Sequence, residues 1–371
     1  MSLHIAGMGW VTPLGRGLEK VWDRLLRGEE AAAQKVSRGA GEPQYPTFLV
    51  PKDELGDLPP HPRLRRASPI SRFAAAAGLD ALETARSAIG EIDATRIALI
   101  FAISNGGVIY TARFYGEVVK SGAQSASPLL FPETVFNASA SHLAAILGIT
   151  GASYTLVGDG AVGMLALKMA ENLMTDERLD CCLIVGAEEV DWLLCDAYRR
   201  WRLLKSRPPI EPFRAPPKGT VLSEGAGAVV LGRKGPVAVD QIHGGTNFWR
   251  RNQAAAAIVP VLSNLTDARA KLLISSANGT FVDLAEMVAI HETIPDACVY
   301  SCKPALGESV GASALWQVIV AGQSLLSGKQ PPLLHLATKD SPGSAEFEPT
   351  QSALVLSCGM NQQVAGLRLS I

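Results

Sequence analysis

The sequence predicts an α/β protein made of two similar halves, and three observations carry that reading. Strand-like and helix-like segments alternate along the chain, the pattern of α/β layers around a mostly parallel sheet. Several strand-like segments are continuous apolar runs, as in strands covered on both faces. The alternation then begins again near Val237, which puts a boundary at about 235/236 and gives halves of residues 1–235 and 236–371.

Taken in order, Leu3 to Met8 (LHIAGM) reads as a buried strand ending in a glycine-rich turn. Leu18 to Leu26 has apolar residues at 18, 21, 22, 25 and 26, the spacing of an amphipathic helix. The stretch of about 28–68 is rich in Gly, Pro and charge and reads as an irregular surface insertion. Ile97 to Ile103 (IALIFAI) is a buried strand, and a helix follows Asn105-Gly106-Gly107. Asn137 to Leu147 and Ala161 to Met174 have helical spacing, Cys181 to Val185 is a further strand, and Gly219 to Leu231 places a glycine cluster between two strands. In the second round Val237 to Ile242, Lys271 to Ala277 and Cys298 to Cys302 read as strands. Ala254 to Leu265, Leu284 to Glu292 and Val310 to Leu326 read as helices. Gln351 to Ser357 and Val364 to Ile371 close the chain as an antiparallel pair.

Composition excludes several classes. With 371 residues, 47% apolar and 19% charged, the chain has ample material for a core. Lys and Arg number 34 against 35 acidic residues, so the global basic field of a nucleic-acid binder is missing. No apolar run reaches membrane-spanning length, and the N-terminus MSLHIAGMGW lacks the marks of a secretion signal. Six cysteines are scattered without CxxC spacing, and only Cys181 and Cys182 are adjacent. A reduced, cytoplasmic protein with no zinc cluster and no cofactor is expected.

No Walker loop, HExxH or GxSxG occurs. Gly7-Met8-Gly9 followed by Gly15 invites a dinucleotide reading, but the third glycine is too distant and Pro13 interrupts the loop; a structural strand-turn-helix is preferred. His243, His291 and His335 are isolated. The basic run Arg199, Arg200, Arg202, Lys205 and Arg207, with Trp201 inside it, is either a solvated helix end or a docking patch for an acidic partner.

Several segments together resemble the β-ketoacyl synthase family of the thiolase fold. GMGWVTPLG (Gly7 to Gly15) with VWDRLLRG (Val21 to Gly28) resembles that family's first strand, turn and helix. FPETVFNASASHLAAILGITGASYTL (Phe131 to Leu156) resembles the approach to its nucleophile, and KGTVLSEGAGAVVL (Lys218 to Leu231) its GEGAG motif. SSANGT (Ser275 to Thr280) and SCKPALGESVGAS (Ser301 to Ser313) lie where the family has its two histidine motifs. The resemblance implies a thiolase-like fold, two α/β halves in a five-layered α-β-α-β-α arrangement.

The family's chemistry needs a cysteine at the N-terminus of a buried helix, where dipole and backbone amides activate the thiol and form an oxyanion hole. Two histidines then stabilise the enolate formed on decarboxylation, and a lysine fixes the charge balance. Carried onto this sequence, the nucleophile position falls on Gly160, with Asp159 as its neighbour. The histidine positions hold Asn278 and Glu308; Lys303 is retained, and Asp283 and Glu286 match acidic positions. Glycine captures no thioester. Asn278 can still donate N–H bonds, whereas an ionised Glu308 only accepts them, so a Lys303–Glu308 or Lys303–Glu286 ion pair is expected. The family's gate loop corresponds to a stretch containing Cys358, Gly359 and Met360. Cys181, Cys182 and Cys302 read as buried strand residues that behave as small hydrophobes, and Cys358 sits in the family's gate stretch.

A scaffold whose polar catalytic positions are changed resembles a chain-length factor of type II polyketide or aryl polyene synthesis. Such a subunit pairs with an active ketosynthase in a heterodimer and receives substrate on acyl carrier protein. Tyr110 and Phe114, four apart on one helix face, together with Tyr115 and Phe136, are expected at the acyl tunnel and interface. Arg199, Arg200, Arg202 and Arg207, or Arg63, Arg65 and Arg66, are candidates for carrier-protein docking. Two alternatives stay open: a weakly active acyltransferase or malonyl decarboxylase acting as a homodimer, and an acyl-binding scaffold.

Overall fold

The computed structural model describes residues 2–65, 67–267, 269–336, 342 and 346–371. Fourteen strands and ten helices are laid out along them. In the first half these are β1 (Leu3–Thr12), β2 (Gly15–Arg16), α1 (Leu18–Leu26), β3 (Ala33–Val36), β4 (Tyr45–Phe48), α2 (Pro69–Ile89) and β5 (Ile97–Ile103). Then come α3 (Val108–Ser121), α4 (Ala138–Leu147), β6 (Ser153–Val157), α5 (Val162–Leu173), β7 (Cys181–Glu188), α6 (Trp192–Arg200), β8 (Leu222–Ser223) and β9 (Gly225–Gly232). The second half has β10 (Val237–Asn247), α7 (Ala254–Leu265), β11 (Ala270–Ile274), α8 (Phe281–Thr293) and β12 (Cys298–Tyr300). It closes with α9 (Lys303–Leu306), α10 (Ser313–Ser327), β13 (Ser352–Cys358) and β14 (Gln363–Ser370).

The main sheet has the order β12-β11-β13-β14-β10-β1-β9-β7-β5-β6. Its two five-stranded halves meet at β1 and β10 over three residue pairs only, Leu3↔Val239 to Ile5↔Val237. The chain can therefore fold the halves over one another. α5 touches β5 and β7 of one half and β10 and β14 of the other, and α10 likewise reaches β7, β9, β11 and β13. α2 and α4 cover the outer face of the first half, and α7 and α8 pack outside the second. The result is the five-layered, thiolase-like α-β-α-β-α arrangement.

Central helices must come close, and glycine permits it. A Cβ at Gly163 of α5 would lie 2.9 Å from the Cβ of Ala314 in α10. Gln317 of α10, fully buried, offers its amide to the carbonyls of Ser275 (2.8 Å) and Leu356 (2.7 Å), tying β11 to β13 at the floor of the site.

The structure corrects the expectation in several places, among them Cys302, which caps α9 after β12 has ended at Tyr300 rather than lying in a strand. The sheet is mixed: β5–β6, β5–β7, β11–β12 and β11–β13 are parallel, but β1, β9, β10 and β14 pair antiparallel with their neighbours. Short connections such as residues 359–362 permit only antiparallel return. Gly7 and Gly9 lie inside β1 rather than in a turn, because a Cβ on either would come within 2.4 Å of backbone in α2. The insertion at about 28–68 is not wholly irregular: β3 and β4 form a small sheet with β8. The strand over 271–277 ends at Ile274, and Ser275 to Gly279 form the loop that carries the site.

Candidate functional site

The site lies where three connections meet: β6 to α5, β11 to α8, and β12 through α9 to α10. Each is anchored by its own sequence. The Thr280 hydroxyl accepts the Val282 N–H at the start of α8, and the Asp283 carboxylate accepts the N–H groups of Asn278 (2.8 Å), Gly279 and Phe213. A carboxylate in a first turn complements the orphan amides and the helix dipole. Burial still pushes the Asp283 carboxyl up to about 6 against those bonds. Glu286, one turn on, is held by the hydroxyls of Ser275 and Ser276 and the Ser276 N–H, and burial raises it to about 7.

At the centre, Lys303 Nζ donates to Glu308 Oε2 at 2.7 Å, and Asn278 Nδ2 donates to the same oxygen at 2.7 Å. Asn278, Lys303 and Glu308 are each no more than 2% exposed. Burial opposes the charge on Lys303, yet Glu308 outweighs it and holds the amine above its ordinary pKa. Of the two pairings expected, Lys303–Glu308 forms, while Glu286 is occupied by serines. The Asn278 amide, which residue type alone left free to donate to a substrate, is spent on Glu308. Its oxygen accepts from the Thr280 backbone and hydroxyl. Glu308 Oε1 has no partner among the described residues.

Gly160 precedes α5, with the Ser357 hydroxyl donating to its carbonyl (2.9 Å). A side chain there would start 3.2 Å from Gly359 Cα, so the β13–β14 loop lies against Gly160. Asp159 faces that loop and accepts the Asn361 N–H at 2.6 Å. Burial, opposed by those backbone bonds, raises its carboxyl. Cys358 lies beside this contact, its N–H bound to the Ser276 hydroxyl (2.9 Å). Burial, then Glu286 and Asp159, raise its thiol well above the ordinary value. Burial likewise pushes Cys181, Cys182, Cys195 and Cys302 up to about 12, and it raises Cys298. A raised thiol is a poor nucleophile.

Outside the loop lies a cavity of about 320 Å³ between Tyr198, Trp201, Phe248, Trp249, Arg251 and Met360. Sequence reading noted Trp201 but missed Trp249 and Arg251, which come from the stretch after β10. Of the basic run, Arg199 stacks on the Tyr45 ring, Arg200 pairs with Asp196, and Lys205 pairs with Glu211. Arg202 and Arg207 form no ion pair among the described residues, and Arg66 lies outside them.

The aromatic residues of α3 lie apart from the buried triad, on a surface. Tyr110 is half-buried beneath the Arg113 guanidinium, and burial and Glu189 raise its phenol. Phe114 packs edge-on to Tyr115 and against Phe131. Phe136 covers Gly106, where a Cβ would meet its ring at 2.7 Å. Nine exposed large apolar side chains fall between Val108 and Val157, among them Tyr115, Val119, Phe131, Phe136 and Tyr154. They lie on α3, on residues 129–136 and on the edge strand β6.

Comparison with known proteins bears on the family and the fold. The family description "Beta-ketoacyl synthase, N-terminal domain" matches residues 2–235, and the chain belongs to the β-ketoacyl synthase family. It is similar to the 3-oxoacyl-[acyl-carrier-protein] synthase 2 of Coxiella burnetii (strain RSA 493 / Nine Mile phase I), with 22% identity over 94% of this chain and 91% of that one. The synthase of the same name from Staphylococcus aureus is 23% identical over 94% of each chain. Among solved structures, the ishigamide ketosynthase/chain length factor superposes with a TM-score of 0.85 at 20% identity, covering 100% of this chain and 98% of that one. A ketosynthase in complex with its chain length factor from Xenorhabdus doucetiae gives 0.80 at 17%, covering 100% and 98%.

Proposed function

We propose that this chain is a non-catalytic subunit that pairs with an active β-ketoacyl-acyl-carrier-protein synthase and helps set the length of the chain that synthase builds. One observation carries the reading: Gly160 offers no nucleophile, and the donors of Asn278 and Lys303 both converge on Glu308. Where a condensing enzyme needs donors aimed at a thioester carbonyl, this site presents a carboxylate that takes up both donors on one oxygen. An enolate formed there would meet a carboxylate.

What remains is shape. The relatives include synthases acting with acyl carrier protein, and the structural neighbours include ketosynthase and chain-length-factor pairs. The apolar face of α3, residues 129–136 and β6 has the composition of a surface that another subunit covers. A growing polyketide, polyene or fatty-acid-like chain, tethered to the partner, would run against Tyr110 and Phe114. Each methylene buried there is worth about 0.8 kcal/mol until a ring blocks further extension. Arg202 and Arg207 are the free cations of the basic run, available to an acidic carrier protein. In this reading residues 1–235 supply the partner-facing half and residues 236–371 complete the scaffold.

The test is co-expression with intact ketosynthases from aromatic-polyketide, aryl polyene and fatty-acid systems. A stable heterodimer with at least one is expected. A chain that stays monomeric or self-associated beside all of them contradicts the proposal.

A further inference from the structure

We propose that Asp159 is a latch that holds the β13–β14 loop closed over the start of α5, sealing the Lys303–Glu308–Asn278 triad from the cavity outside. The contact is made from both sides. Asp159 Oδ2 accepts the Asn361 N–H at 2.6 Å, and the Asp159 N–H donates to Gln363 Oε1 at 3.2 Å. Within the loop the Gly359 N–H donates to the Gln363 carbonyl at 2.8 Å, so both anchor points belong to one closed turn. The carboxylate fills the space under the turn: a Cβ at Gly359 would lie 1.9 Å from Oδ2, which only glycine avoids. A hydrogen bond accepted by a carboxylate in a buried setting is among the stronger ones.

The placement gives the latch its consequence. Met360, Asn361 and Gln362 line the outer cavity, while Gly359 rests against Asp159 and Gly160 on the inner side. The loop therefore stands between the outer cavity and the start of α5. Cys358 stands immediately behind the latch, 2% exposed, and serves as a built-in reporter of its opening. This inference does not rest on pairing with a ketosynthase, and it can be measured on this chain alone.

The experiment is hydrogen exchange of residues 358–363 together with labelling by N-ethylmaleimide, located by peptide mapping. In the natural chain the Asn361 amide exchanges slowly although its residue is exposed, and Cys358 labels slowly. In Asp159→Ala, Cys358 labels roughly tenfold faster or more, as expected when a hydrogen bond to a charged acceptor is lost. Asp159→Asn, which keeps an acceptor oxygen but not its charge, labels at a rate between the two. Cys181 and Cys182, buried in β7, report global unfolding: their labelling in parallel with Cys358 would reassign the effect to loss of the fold. An unprotected Asn361 amide in the natural chain overturns the latch, as does Asp159→Ala labelling at the natural rate.

Discussion

Glu308 takes two donors on one oxygen and leaves the other without a partner among the described residues. A buried ion pair of this kind is costly to break from one side, because the survivor keeps its charge without compensation. Glu308→Ala should therefore lower unfolding free energy by about 3–5 kcal/mol, while Lys303→Met with Glu308→Leu should recover most of that loss. Urea titration of both variants checks this; equal destabilisation by single and double variants would show that the pair is not the unit. The Lys303–Glu308 partnership was legible in the sequence because the residues are five apart in one connection. The fate of Asn278 was not, since it lies 30 residues from Glu308 and residue type gives only capacity to donate. The Asp159–Asn361 contact spans 202 residues, and only the folding of β6, β13 and α5 together creates it.

At the level of elements, the continuous apolar runs of β5 and β7 and the 3.6-residue spacing of α1 and α7 fixed those segments closely. α2 was missed for a physical reason. Its face toward β1 carries Ala77, Ala81 and Ala85, small residues whose turns of helix meet β1 at Gly7 and Gly9 rather than forming a bulky stripe. The glycines that looked like a nucleotide loop are the other side of that contact. β6 was also missed: its residues are only partly covered, because none of the described residues pairs beyond it in the sheet. An open strand edge with exposed Tyr154 and Val157 is a site for pairing with another chain. Tyr154→Lys with Val157→Lys should abolish the heterodimer expected above while leaving the melting temperature of the isolated chain nearly unchanged. Co-purification that survives both lysines would place the interface elsewhere.

The fold buries several carboxyls away from water. Burial raises Glu188, Glu189, Glu224 and Glu286 to about 7 and Asp283 to about 6, against about 4 in an unfolded chain. A carboxyl whose folded-state pKa is raised binds its proton more tightly in the native state. Its contribution to stability is complete below about pH 4 and is lost as pH rises through the folded value. The melting temperature should therefore fall between about pH 4 and about pH 7; a flat or rising profile would mean that these groups stay charged inside the fold. Neither the mixed sheet nor these acids follow from the alternation of segments, because pairing direction and burial are set by how the halves stack. Across all scales the central claim is that this subunit contributes shape while its partner holds the acyl group. The most direct measurement is intact-mass analysis of both subunits of the heterodimer after incubation with an acyl-carrier-protein thioester. The account predicts an acyl increment on the partner alone; an acyl adduct on any side chain of this protein would contradict it.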